Sequence, residues 1–233
     1  MFKCLPAIAI WSSLAAMPVL GLWFSPVAHG QDYSVEAIQG APDTDEISAD
    51  VLALISNQGV RVKRGSRTAA EIWLLKEWSI DAGFEQSDQR LYPFAPGQLI
   101  GVLHFGRRGS EFRDQQIESG WYTLRFGLQP VDGNHEGTSP TRDFLLLVKA
   151  AQDSTDKQWD EKELHKASAE AAGATHPAML CLQPPEEQGE TPSLRHDQGT
   201  DWWILRAMGK SQAENEPAKE IPIELVVVGH ATE

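Results

Sequence analysis

The stretch "WYTLRFG", residues 121–127, alternates with a period of two. Tyr122, Leu124 and Phe126 fall on one side, Trp121, Thr123 and Arg125 on the other. Successive side chains of a strand point to opposite faces, so this pattern sends the first set into a core. "DFLLLVK" (143–149) is a second apolar run, and the loop at 128–142 between them predicts a long-tipped hairpin. "QLIGVLHF" (98–105) is almost continuously apolar, as in a strand covered on both faces. "VRVK" and "TAAEIWLLKEW" flank the turn-rich "RGSR", which is a hairpin signal. Toward the C-terminus, "PAMLCL" (177–182), "DWWILRA" (201–207) and "IPIELVVVG" (221–229) read as strands. Pro222 lacks a donor, which suits a strand start or a sheet edge. The segments at 183–200 and 208–220 read as polar connections.

Two segments break the period. In "SADVLALISNQG" (48–59), Ser48 can cap a short helix that Gly59 ends, with a strand as the competing reading. Residues 157–172 place Leu164, Ala167 and Ala171 on one side, with acidic residues early, basic ones later and Gly173 at the close. That is an amphipathic helix matched to its dipole. The sum is about seven or eight short strands with one or two short helices and no βαβ alternation. The expectation is an all-β fold, an antiparallel β-sandwich. No internal repeat is evident.

The chain has 233 residues, 41% hydrophobic and 23% charged, with a net charge of −13. Such a composition is globular. Its acidity argues against nucleic acid as a partner, because phosphate backbones are held by clustered Lys and Arg. Lys3 precedes an apolar run, and the small residues Ala28 and Gly30 suit cleavage before Gln31. Residues 1–30 therefore read as a signal peptide, 31–47 as a leader or linker, and 48–233 as one domain. Export to the periplasm or the medium follows, with no stable membrane span after cleavage; an uncleaved N-terminal anchor is the alternative. Only Cys181 would remain, so the exported chain would fold without an internal disulfide. Its apolar neighbours mark Cys181 as a buried small residue rather than a nucleophile.

Four stretches occur together here: "GVRVKRGSRTAAEIWL", "YPFAPGQLIGVLHF", "SGWYTLRFGLQPVDGNHEGTSPTRDFLLLV" and "AGATHPAMLCL". In these the chain resembles a group of uncharacterised exported bacterial proteins, over residues 48–182. The resemblance implies a single exported domain. It implies no activity, cofactor or catalytic residue.

One loop carries a chemical pattern. "DGNHEGTSPTRD" sets Asp132, Asn134, Glu136, Thr138 and Asp143 at positions 1, 3, 5, 7 and 12 of a calcium-loop spacing, with Gly137 at 6. Against it stand Asp rather than Glu at position 12 and strands rather than helices on either side. The alternative is a hairpin loop built from turn residues. The histidines form no H-x-H or H-E-x-x-H pair, and no G-x-S-x-G is present. Arg107, Arg108 and Arg113 make a local basic cluster, read as a solvated loop or a phosphate site. Trp202 and Trp203 must face opposite sides of their strand, and Trp121 lies opposite the core set. An outward Trp121 or Trp202, with His135 at a loop tip, would stack on a sugar ring.

The leading reading is a non-enzymatic binding or structural module of the cell envelope, with no cofactor expected and a glycan or envelope protein as partner. The alternatives are a calcium-stabilised domain using the 132–143 loop, and an extracellular hydrolase with a dispersed carboxylate and histidine site.

Overall fold

The computed structural model describes Met1 and residues 33–133, 139–186, 188–213 and 217–229. By contacts the chain divides into Met1–Gly30 and Gln31–Glu233, and every strand belongs to the second unit. The proposed signal peptide lies outside the described residues, Met1 excepted. Among the described residues no helix is long and apolar enough to cross a membrane.

The alternating runs become strands where the periodicity puts them. In chain order these are β1 (Tyr33–Gln39), β2 (Ile55–Arg64), β3 (Arg67–Leu75), β4 (Trp78–Ser79), β5 (Leu99–Phe105), β6 (Gly109–Ser110) and β7 (Gln116–Ile117). Then follow β8 (Gly120–Leu128), β9 (Asp143–Lys149), β10 (Met179–Gln183), β11 (Ser193–Asp197), β12 (Trp202–Gln212) and β13 (Lys219–Val228). Helix α1 spans Ala49–Leu54 and α2 spans Glu161–Ala172. Helix α2 begins where the Asp160 carboxylate accepts from the Glu163 amide at 2.8 Å and ends at Gly173, whose φ of 63° is left-handed.

Ten strands run side by side in the order β1-β2-β3-β5-β8-β9-β10-β13-β12-β11, and β4 adds to β12 in parallel. The fold is all-β and, β4 apart, antiparallel. Strand β10 joins the halves: Met179–Cys181 pair with β9, and Leu182 and Gln183 pair with β13. The two layers are thus halves of one sheet that folds over at β10. Leu124, Leu145 and Leu180 of one half share a core with Leu205, Ile223 and Leu225 of the other. The far ends, β1 and β11, come together, and there the Tyr33 ring lies 5.2 Å from Trp203.

Two expectations are corrected. Thirteen strands are found among the described residues, not seven or eight. The extra ones are the two-residue strands β4, β6 and β7 and the edge strands β1 and β11, whose side chains are at most half-buried. Residues 33–39, read as part of a leader, are strand β1, paired with β2 over seven residues from Tyr33↔Arg64 to Gln39↔Gln58. Only Tyr33, Val35 and Ile38 are half-buried there, so the backbone ladder rather than an apolar face fixes this edge. The same holds for β11, which lies inside the expected 183–200 connection.

The outer face is covered too. Helix α2 packs Leu164 and Ala167 on Leu146 and Val148 of β9. The β6–β7 segment lays Phe112 over Phe144, Cys181 and Trp202. Between these covers, Arg125 of β8 is 6% exposed and clasps Asp153 through two contacts of 2.9 and 2.8 Å.

Candidate functional site

On the outer face of β8 the side chains run Trp121, Thr123, Arg125 and then Gly127, where no side chain stands. A Cβ at Gly127 would lie 2.7 Å from Leu146 Cδ1. Beyond it Leu128 still pairs with Asp143, and the Gln129 amide donates to the Arg142 carbonyl at 2.7 Å. The gap so left is a cavity of about 440 Å³ between the sheet, the Phe112 segment, His165 of α2 and the 176–177 stretch that follows the helix. Its walls are mainly apolar: Phe112, Leu128, Phe144, Leu146, Pro177 and Met179. A second hollow of about 360 Å³ lies on the Trp159 side and shares Gly127–Gln129, Pro130, Leu146 and His165 with the first. Both lie within the volume range of small-molecule pockets.

Three cationic or titratable side chains meet the larger cavity: Arg113, His165 and His176. Arg113 is anchored. Its Nε donates to both oxygens of Glu111, at 3.3 and 3.1 Å, and its guanidinium stands 5.0 Å over the Phe112 ring. The Glu111 side chain has no exposure, and burial pushes its carboxyl up despite the Arg113 charge and the amides of Arg113 and Gln115. The Arg113 terminal nitrogens make no hydrogen bond to a described residue, and Nη2 is buried. One third of the side chain, 34%, remains exposed. His165 comes from α2, and His176 follows it, its carbonyl accepting from Gln115 Nε2 at 3.3 Å. An apolar hollow with one anchored guanidinium at its wall can hold an apolar body and pair with an anionic head.

The residues singled out in the sequence are dispersed. Asn134, His135, Glu136 and Thr138 lie outside the described residues, and Asp132 is exposed. Asp143, the twelfth position of the calcium spacing, is fully buried. Its Oδ1 accepts from the amides of Leu91 and Tyr92 at 3.0 and 3.1 Å, and its Oδ2 from Leu91 at 3.1 Å. That carboxylate ties the 91–94 segment to β9 rather than pointing into the loop. Among the described residues no three His, Cys, Asp or Glu side chains converge as a metal site.

The expectation of an outward Trp202 is corrected: it is 7% exposed, under Phe112 at 5.8 Å and 88°. The cover comes from a segment nearly a hundred residues earlier in the chain, which no local pattern reveals. Trp121 is half-buried, stacked on His104 at 4.3 Å and tilted against Trp73 at 5.6 Å. His104 Nδ1 in turn meets Glu71 Oε2 at 3.0 Å, and Glu71 Oε1 takes Arg61 Nη2 at 2.6 Å. Trp121 therefore ends a row of paired side chains across four strands. Cys181 is buried as expected, and burial raises its thiol pKa. Sequence reasoning saw Arg113 only as one of a basic cluster. Strand β6 (Gly109–Ser110) intervenes, so Arg107 and Arg108 line one hollow and Arg113 another.

The chain matches no family model, no curated protein and no solved structure. A functional reading therefore rests on the chemistry of the site itself.

Proposed function

We propose that the protein is an exported, non-enzymatic binding module of the cell envelope. Its ligand is a small molecule with an apolar body and a single anionic head. The carrying observation is the apolar cavity of about 440 Å³ with Arg113 at its wall, a guanidinium whose Nε is fixed by Glu111 and whose terminal nitrogens have no acceptor among the described residues. Desolvated charge-assisted hydrogen bonds contribute about 1.5–3 kcal/mol each, so the head group selects the ligand while the apolar walls supply area. The signal-peptide pattern and the resemblance to exported proteins support the location.

Titration calorimetry with decanoate and decanol tests this. The acid should bind and the alcohol should bind far more weakly. Arg113→Gln should weaken the acid by about 10–100-fold, one charged hydrogen bond's worth. Leu128→Trp, which fills the cavity from its half-buried wall, should abolish binding of both. Equal affinity for acid and alcohol, or no binding of either, would refute the reading.

A further inference from the structure

The other end of the rolled sheet carries charge of the opposite sign to the molecule. The β2–β3 turn is closed by Arg64 and Arg67, directly opposite one another across the two residues Gly65 and Ser66. Gly65 has a φ of 59°, so the turn holds the two strands tightly together. Like charges directly opposite on neighbouring strands repel. The turn after β5 adds Arg107 and Arg108 to the same place. All four arginines line one hollow of about 640 Å³, with Thr68 and Ser110 on its sides and Tyr33 and Phe105 among its apolar residues. Asp114 is the one carboxylate on its wall. Arg108 Nη1 donates to Gln116 Oε1 at 3.1 Å, and Arg64 stands 5.7 Å over the Tyr33 ring. No ion pair holds any of the four to a described Asp or Glu within 4.0 Å, in a chain whose net charge is −13.

Four exposed guanidiniums from two turns, with Asp114 the one carboxylate beside them, make a local positive potential that favours an anion in the hollow. A carboxylate brings one charge, whereas a phosphate ester brings between one and two, with oxygens that suit the guanidinium fork. We propose that this hollow binds a phosphorylated organic ligand carrying at least two negative charges. The phosphate oxygens pair with Arg64, Arg67, Arg107 and Arg108, and the organic part lies toward Tyr33 and Phe105. The site is separate from the Arg113 cavity and stands without it. A soluble sugar phosphate and a phosphorylated lipid headgroup share this chemistry.

The test uses residues 31–233, inorganic pyrophosphate as the probe and sodium sulfate at matched ionic strength as the control. Pyrophosphate should bind and raise the melting temperature, with sulfate doing neither to the same degree. The exposed double variant Arg67→Gln/Arg107→Gln should keep its fold by circular dichroism and lose at least about tenfold in affinity. Leu128→Trp should leave pyrophosphate binding unchanged. Sedimentation with phosphatidylcholine vesicles containing phosphatidic acid, competed by pyrophosphate, would assign the lipid source. Pyrophosphate binding without vesicle binding would assign the soluble one. No pyrophosphate binding, or binding unaltered in the double variant, would overturn the proposal.

Discussion

The buried Asp153 carboxylate shows how much of the fold one residue can hold together. Its carboxylate takes two contacts from Arg125, one from Thr123 Oγ1, one from Trp159 Nε1 at 3.0 Å and one from the Ser154 amide at 2.9 Å. Arg125 sends its remaining donors to the carbonyls of Gly97 and Ser154, at 2.9 and 2.8 Å. The strand, the loop before α2 and the 95–98 turn meet at this one pair. Removing the negative partner leaves a guanidinium buried and uncompensated, a loss of about 3–5 kcal/mol. Asp153→Asn should therefore cost that much in urea unfolding. Glu36→Gln, which breaks the exposed 2.6 Å pair with Lys63, should cost about 0–1 kcal/mol. Equal losses would show that the Arg125 set does not govern stability. The sequence pattern does not reveal this pair. Arg125 reads there only as one residue of the face opposite the core set, because the loop that buries it is remote in sequence.

At the scale of elements, legibility followed apolar alternation. Strands β5, β8 and β9, the β2–β3 hairpin and α2 stood where the periodicity put them. Strands β1 and β11 did not show, since an edge strand held by backbone ladder bonds needs no apolar period. Strand β12 runs on through Met208–Gln212, which read as a polar connection, because β4 adds in parallel at Ser211 and Gln212 and gives that stretch a second partner. Trp78 of β4 is fully buried, and its Nε1 donates to the Ile100 carbonyl at 2.9 Å. Its ring lies directly on Gly209, so a Cβ there would enter the indole. Gly209→Ala should thus destabilise by about 1–3 kcal/mol through overpacking and should raise Trp78 solvent quenching. An unchanged unfolding midpoint would contradict the close approach of β4 and β12.

For the molecule as a whole, acidity and buried carboxyls act in the same direction. Burial pushes the carboxyls of Glu111, Asp143 and Glu224 above their ordinary range, against the pull of their arginine and amide partners. Each holds its proton to a higher pH when folded than when unfolded. The folded state binds more protons in that window, so stability is greatest below the ordinary carboxylate pKa of about 4 and falls as pH rises through the raised values. Glu71 has the opposite sign: burial works to raise it, but the hydrogen bonds from His104 and Arg61 prevail and lower it. Its stabilisation is present above its unfolded pKa and is lost only as pH falls through the lowered value. Self-repulsion at a net charge of −13 also grows less on acidification. The melting temperature should therefore fall as pH is raised from the ordinary carboxylate pKa of about 4 through the raised values. A melting temperature that rises steadily from about pH 4 upward would contradict the burial of these three carboxyls.

The fold class was legible because a core must be written into its strands. The cavity was not, because its wall draws on Phe112, Leu128, Leu146 and Met179 from four segments, and its guanidinium stands in a turn that reads as solvated loop. The proposed ligand site is thus a property of the whole roll, and its position is the central claim. The most direct measurement is a methyl NMR titration of residues 31–233 with decanoate. The account predicts saturable shifts at the methyls of Leu128, Leu146 and Met179 and at the Arg113 side chain, with the Val227 and Val228 methyls beside the arginine-lined hollow unmoved. Shifts absent from the first group, or centred on the second, would contradict it.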